Sequence, residues 1–217
     1  MALNSAYFDA VATTWDDNLK RIEMSTAILK AISESVPLSS VMTVFDYGCG
    51  TGLLSVLLSS HVKHITGADS SEGMIRVLQA KITQSKKANI EAVKLDLAQD
   101  PVPSNRYHLV VSGMAMHHVG DIRKVITAFY ELLLPGGYVC IADLDTEPGI
   151  FHDEQAAATV RHLGFNRDDL MAVMSEAGFN DCTSGTAYTM RKIITGGTER
   201  DFSVFSITGR KKESRNG

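Results

Sequence analysis

The chain has 217 residues, 44% of them hydrophobic and 21% charged, with a formal net charge of −4. That is enough apolar mass for one well-buried core, and without a basic surplus there is no footprint for nucleic acid or an anionic membrane, both of which call for clustered Lys and Arg. Three cysteines, Cys49, Cys140 and Cys182, are odd in number and widely spaced, so they suggest reduced thiols rather than a disulfide framework or a metal knuckle.

The opening "NSAYFDAVATTWDDN" carries Tyr7, Phe8 and the single tryptophan, Trp15. It has neither the charged start nor the apolar centre of a leader. No later apolar run reaches the ~18 residues of a membrane span, so a cytosolic protein is expected. Leu19 to Glu34 follows with Leu19, Ile22, Ile28, Leu29 and Ile32 near one face at helical spacing, an amphipathic helix that "SVPLSSV" ends. From there short apolar runs alternate with helical patterns. Strands are expected at 43–47, 64–68, 90–95, 108–112 and 138–144, and helices at 52–60, 72–84 and 121–134. Such alternation implies βαβ units and a parallel sheet covered on both faces. After a helix over 167–177, opened by Asn166 and stopped by Gly178, two more strands at 182–188 and 202–208 are joined by "ITGGTERD". That link has no room for a crossover helix and suits an antiparallel pair. The expected fold is therefore α/β: a Rossmann-like doubly wound sheet of about seven strands, mostly parallel, with an antiparallel C-terminal strand. One domain is expected, with residues 1–36 as a helical lid and 210–217 as a flexible tail.

The stretch "VFDYGCGTGLL" places glycines at 48, 50 and 52 between a strand and a helix. Bare backbone at that point brings N–H groups up to a nucleotide-like ligand, and Asp69, at the end of the second strand and 23 residues after Asp46, suits the two hydroxyls of a ribose. A dinucleotide site would want its third glycine at position 53, which is Leu53, so hydride chemistry is disfavoured.

"DYGCGTG" resembles the first motif of class I S-adenosylmethionine-dependent methyltransferases, and "GADSSEGMI" resembles their second. "KLDL", "YHLVVSGMAMHHV" and "LLLPGGYVCIADL" are similar to the motifs of the later strands, and the whole looks most like the ubiquinone and menaquinone biosynthesis branch. The resemblance covers about residues 40–145. It implies S-adenosylmethionine as cofactor, with Gly48, Cys49 and Gly50 against its methionine part and Asp46 orienting the ammonium. Asp69 would hold the ribose, Ser70 and Met74 would edge the adenine, Asp96 would accept from the adenine amino group with Leu97 alongside, and Gly113 would pass the methionyl chain.

Methyl transfer needs a dry site with the nucleophile in line with the sulfonium, and a base only when a proton must leave. His117 and His118, after the fourth strand, are the candidate bases. At most one is expected to face the acceptor, and His117 is preferred. Asp143 just past the fifth strand is expected to face the same crevice, as is Asp145 unless it is a solvated turn residue. Tyr7 and Trp15 would cover the substrate from the lid. No metal is expected. The acceptor is read as a small molecule, aromatic or quinone-like, with oxygen, carbon and nitrogen all open as the methylated atom. The alternatives are a non-catalytic cofactor-binding protein of the same fold and, behind it, an NAD-dependent oxidoreductase.

Overall fold

The computed structural model describes residues 3–85, 88–194 and 197–213. Two N-terminal helices, α1 (Leu3–Val11) and α2 (Leu19–Ser35), flank a 3₁₀ segment, Ala12–Asp17. There follow β1 (Thr43–Tyr47), α3 (Leu53–Leu58), β2 (His64–Asp69), α4 (Glu72–Ser85), β3 (Ile90–Lys94), β4 (Tyr107–Gly113) and a 3₁₀ turn, Met116–His118. The chain ends with α5 (Ile122–Leu132), β5 (Leu133–Leu144), α6 (Glu154–Ala157), α7 (Arg167–Glu176), β6 (Phe179–Ile193) and β7 (Glu199–Lys211).

The seven strands form one sheet in the order β3-β2-β1-β4-β5-β7-β6. Every pair from β3 to β5 is parallel, and β7 runs antiparallel to both β5 and β6. The expected α/β sheet and its C-terminal reversal are both present. The chain leaves β1 toward β2 on one side and reaches β4 on the other, so the strand order reverses between β1 and β4. A crevice opens there at the carboxyl ends of the strands.

Both faces of the sheet are buried, which is why its strands read as near-continuous apolar runs. Alternate side chains go to opposite cores. Val44, Leu109, Val111, Cys140 and Ala142 join the cluster under α2, α3 and α4. Phe45, Val110, Val139, Ile141 and Phe205 join the one under α5 and α7.

The departures from the sequence reading have local causes. α2 buries Met24, Ile28 and Ile32, an i, i+4, i+8 stripe, whereas Leu19 and Ile22 are 70% and 38% exposed because the first turns of α2 overhang the crevice rather than the sheet. β5 begins at Leu133, inside the expected helix, because Leu133 pairs with Tyr107 before a register shift at "PGG". β6 and β7 extend well past their expected ends as a long hairpin, and β7 runs through Arg210 and Lys211, which were expected to belong to a flexible tail. Thr195 and Gly196 of the expected link, and residues 214–217 of the expected tail, lie outside the described residues.

Candidate active site

At the switch point lies a cavity of about 1200 Å³, larger than the few hundred to ~1,000 Å³ that one small ligand usually needs. Its two ends differ in chemistry.

One end is built by the loops after β1, β2 and β3. Past Tyr47 the backbone enters the left-handed region at Gly48, Gly50 and Gly52 (φ 68°, 54° and 80°). The turn is tied back by Gly48 N and Cys49 N, which both donate to the Ala68 carbonyl. A Cβ on Gly48 would stand 2.2 Å from the Ala115 Cβ, so the loops after β1 and β4 touch there through glycine alone. A Cβ on Gly50 would meet only the Met74 Sδ, at 3.9 Å, and would point into open cavity. Asp69 links two loops: its Oδ2 accepts from Gly50 N (2.9 Å) and its Oδ1 from Ser71 N (2.8 Å). Capping of α4 falls to Ser71, whose Oγ accepts from Met74 N, so Asp69 is not the helix cap. Burial raises the Asp69 pKa in spite of these donors. Asp46 is 1% exposed and accepts from Ser55 Oγ at 2.6 Å; burial pushes its carboxyl up to about 7. A buried carboxyl so poised is a receptor for a cation. Asp96 and Asp100 complete this wall.

Asp46, Gly48, Cys49, Gly50, Asp69, Ser70, Met74, Asp96 and Gly113, nine of the ten expected cofactor residues, all line the cavity. Leu97 is the exception. It is fully buried in the core beneath α5, so the residue that follows Asp96 points away from the site.

The other end is formed by the turn after β4, the N-terminal segment, the strap after β5 and the edge of β6. Met114, the residue leaving β4, holds a positive φ of 58°, an uncommon conformation for a side chain with a Cβ and one that recurs at functional sites. The 3₁₀ turn then presents both histidines to the cavity, with ring centroids 4.0 Å apart. The expectation that only one would face it does not hold, since both imidazoles line the cavity.

Asp143 does not line the cavity. It sits fully buried behind His117, with Oδ1 2.6 Å from His117 Nδ1 and Oδ2 accepting from His117 N. Burial draws the Asp143 carboxyl upward, but the His117 ring and the backbone donors outweigh it and hold it below its usual value. His118 Nδ1 lies 3.2 Å from the Thr159 carbonyl, and burial pulls this imidazole down to about 3. Asp145 is neither in the crevice nor a solvated turn residue, since Arg167 grips both of its oxygens.

Tyr7, Phe8 and Trp15 line the cavity as expected and pack edge to face, with Phe8 reaching the His118 ring at 5.0 Å. The N-terminal segment is pinned over the site. Asp9 Oδ1 accepts from Ser71 Oγ and Gly73 N, both at 2.7 Å, and Asp16 accepts from Thr51 and pairs with Lys81. Sequence reading missed His152, Arg21, Arg161 and Lys192, which also line this end. They lie far from the glycine motif in sequence, and no local pattern marks them.

Comparison with known proteins agrees with this geometry. Residues 44–137 match the family model described as a methyltransferase domain. An uncharacterized methyltransferase of Schizosaccharomyces pombe is 30% identical over 155 residues, 65% of this chain and 55% of that protein. A ubiquinone biosynthesis O-methyltransferase of Marinobacter nauticus is 30% identical over 156 residues, 67% of this chain and 63% of that one. The chain thus spans little more than half the length of these relatives. Among solved structures, phosphoethanolamine N-methyltransferase 2 of Haemonchus contortus in complex with S-adenosyl-L-methionine superposes with a TM-score of 0.70 over 88% of this chain and 53% of that one, at 17% identity, a likeness of fold. Residues 44–137 thus match a methyltransferase domain by family model, and the sheet that carries them has the fold of the Haemonchus S-adenosyl-L-methionine complex.

Proposed function

We propose that this protein transfers the methyl group of S-adenosylmethionine to a small aromatic or quinone-like acceptor that enters at the histidine end of the cavity. The observation that carries this reading is one cavity with two unlike ends: a glycine cradle walled by carboxylates, and a chamber lined by aromatic rings and histidines. The cradle fits the cofactor. A Cβ on Gly50 would project into it, the Asp69 oxygens keep lone pairs for a ribose diol, and the Asp46 carboxyl awaits an ammonium. When bound, the cofactor supplies an electrophilic methyl group on a positively charged sulfur.

The chain's own residues do the rest. Tyr7, Phe8 and Trp15 exclude water and offer ring faces to a flat acceptor. His117, held by Asp143 with Nδ1 as the donor, presents Nε2 as the atom that takes an acceptor proton. Arg21, Arg161 and Lys192 give this end a positive wall, which favours an acceptor carrying an acidic group. Residues 1–36 act as a lid over a single domain. The quinone-related name of the Marinobacter relative supports a small-molecule acceptor. No helix among the described residues is long and apolar enough to cross a membrane, and cytosolic residence is part of the proposal.

The test pairs binding with turnover. S-adenosylhomocysteine should raise the melting temperature and NAD should not. Labelled methyl from S-adenosylmethionine should then appear in the organic extract of a panel of phenols, hydroquinones and acidic aromatics. Stabilisation without labelling of any of them would make this a binding protein and overturn the proposal, and stabilisation by NAD alone would overturn the cofactor.

A further inference from the structure

Three imidazoles converge at the histidine end of the cavity. His117 and His118 come from the turn after β4 and His152 from the strap after β5, with centroid separations of 4.0 Å, 5.0 Å (His117 to His152) and 5.7 Å (His118 to His152). One ring nitrogen from each lies within 4.8 Å of the others.

The hydrogen bonds around the rings fix which nitrogens carry lone pairs. Asp143 already accepts from two backbone N–H groups, so it faces His117 Nδ1 as an acceptor and places the proton there. His117 Nε2 is then a lone-pair nitrogen, and it is buried without a hydrogen-bond partner. A buried polar atom left unpaired in a native site asks for an explanation such as an ion. His118 Nδ1 faces the Thr159 carbonyl and the Thr159 hydroxyl oxygen, whose own proton goes to the Ala156 carbonyl. That ring too carries its proton on Nδ1. A histidine whose outer nitrogen donates to a carboxylate or carbonyl has its ring held with the inner nitrogen turned toward the site, the arrangement that orients metal ligands.

We propose that His117, His118 and His152 form a three-histidine site for one divalent transition-metal ion of the zinc type. The donor set selects the ion. Three neutral imidazoles with no carboxylate among them suit zinc and its transition-metal neighbours and are poor for magnesium and calcium, which take oxygen. In a tetrahedral site with metal–nitrogen bonds of about 2.0–2.1 Å the ligand nitrogens stand roughly 3.4 Å apart, so no pair, being within 4.8 Å, need close by more than about 1.4 Å. His152 is the residue that moves, since it is half-buried on the strap while the other two are held by Asp143 and Thr159. The fourth position opens to the cavity and takes an oxygen of the acceptor. A hydroxyl bound there loses its proton to water, and its oxygen forms the new bond to the methyl carbon as the carbon–sulfur bond breaks and leaves its electron pair on sulfur. With the ion in place His117 is a ligand instead of a base. This role rests on the methyl-transfer reading, whereas the metal site itself does not.

The experiment uses untagged, chelator-stripped, full-length protein titrated with Zn²⁺, Co²⁺ and Mg²⁺, with calorimetry for stoichiometry and the visible absorption of Co²⁺ for coordination. One Zn²⁺ per chain, an intense Co²⁺ band and no Mg²⁺ binding are expected. His152→Ala, on the strap and outside the core, should weaken Zn²⁺ binding about tenfold or more, and His117→Ala should abolish it. Substoichiometric binding, or an affinity unchanged in a folded His152→Ala variant, would overturn the site. S-adenosylhomocysteine binding measured on the same samples separates the two proposals: cofactor binding without metal binding defeats only the metal site, and metal binding without cofactor binding defeats only the methyltransferase reading.

Discussion

Replacing Asp46 with Asn should change how stability depends on pH, and the size of the effect follows from where the carboxyl sits. A group that ionises at 3.8 when unfolded and at about 7 when buried in the native protein costs the native state about 1.4 kcal/mol for each pH unit between those values, about 4 kcal/mol in full. Below pH 4 both states are protonated and there is no cost. Between pH 4 and 7 the unfolded chain gives up its proton and the folded one keeps it, so stability falls as pH rises, and above 7 the full cost applies. Asn keeps an acceptor oxygen for Ser55 Oγ and has no charge to bury. Urea denaturation of both ligand-free proteins at pH 5 and pH 8 should therefore show the variant gaining about 3 kcal/mol on the wild type between the two. The other titrating groups are common to both chains and cancel, except for Asp69 and Cys49, which interact with the Asp46 charge. If the two proteins lose or gain stability in parallel, Asp46 is not a buried, strained carboxyl and its reading as an ammonium receptor fails with it.

Asp69→Ala should weaken S-adenosylmethionine binding at least tenfold, about 1.4 kcal/mol or more, with the fold retained; an unchanged dissociation constant by calorimetry would remove the ribose role. Gly50→Ala tests the cradle: the side chain has room in the ligand-free protein, so the expected cost is only the ~1–2 kcal/mol of a left-handed Ala, yet cofactor binding should be lost. A folded variant with normal affinity would show that the cofactor lies elsewhere. His117→Ala should lower the catalytic constant by roughly 10²–10⁴ while leaving cofactor affinity nearly intact, and full activity in that variant would exclude His117 from the chemistry. Asp9→Ala removes the two bonds that hold α1 to the start of α4 and leaves the Asp16–Lys81 pair in place. Turnover should fall more than cofactor affinity, and an equal loss of both would contradict the lid.

What was legible in the sequence was what is encoded locally. The glycines at 48, 50 and 52 announce a backbone conformation that only they adopt cheaply, and Asp69 ends a strand whose partner is the next one in the chain, so the cofactor end could be placed before any coordinates. Asp143 shows what adjacency cannot tell. It was expected in the crevice because it lies near the end of β5, but alternation along that strand puts it on the side of Val139 and Ile141, facing His117 instead. Leu97 fails for a similar reason, its neighbour Asp96 being turned outward. His152 was out of reach, being 34 residues from His118 and brought there by a strap whose anchors, Arg161 N and His162 N on the His117 carbonyl, are backbone bonds without a sequence signature.

The two ends of the cavity are drawn from separate stretches of the chain, residues 46–113 for the cradle and, apart from the histidine turn, residues 5–28 and 151–193 for the chamber. The lid is tied to the cradle through Asp9 and Asp16, so its substitutions should couple with those in the cradle, whereas substitutions in the strap should add instead of compounding. Such a molecule can be re-targeted piecewise: the strap is free to drift toward a new guest while the part that handles the common reagent, and the anchors of the lid upon it, stay fixed.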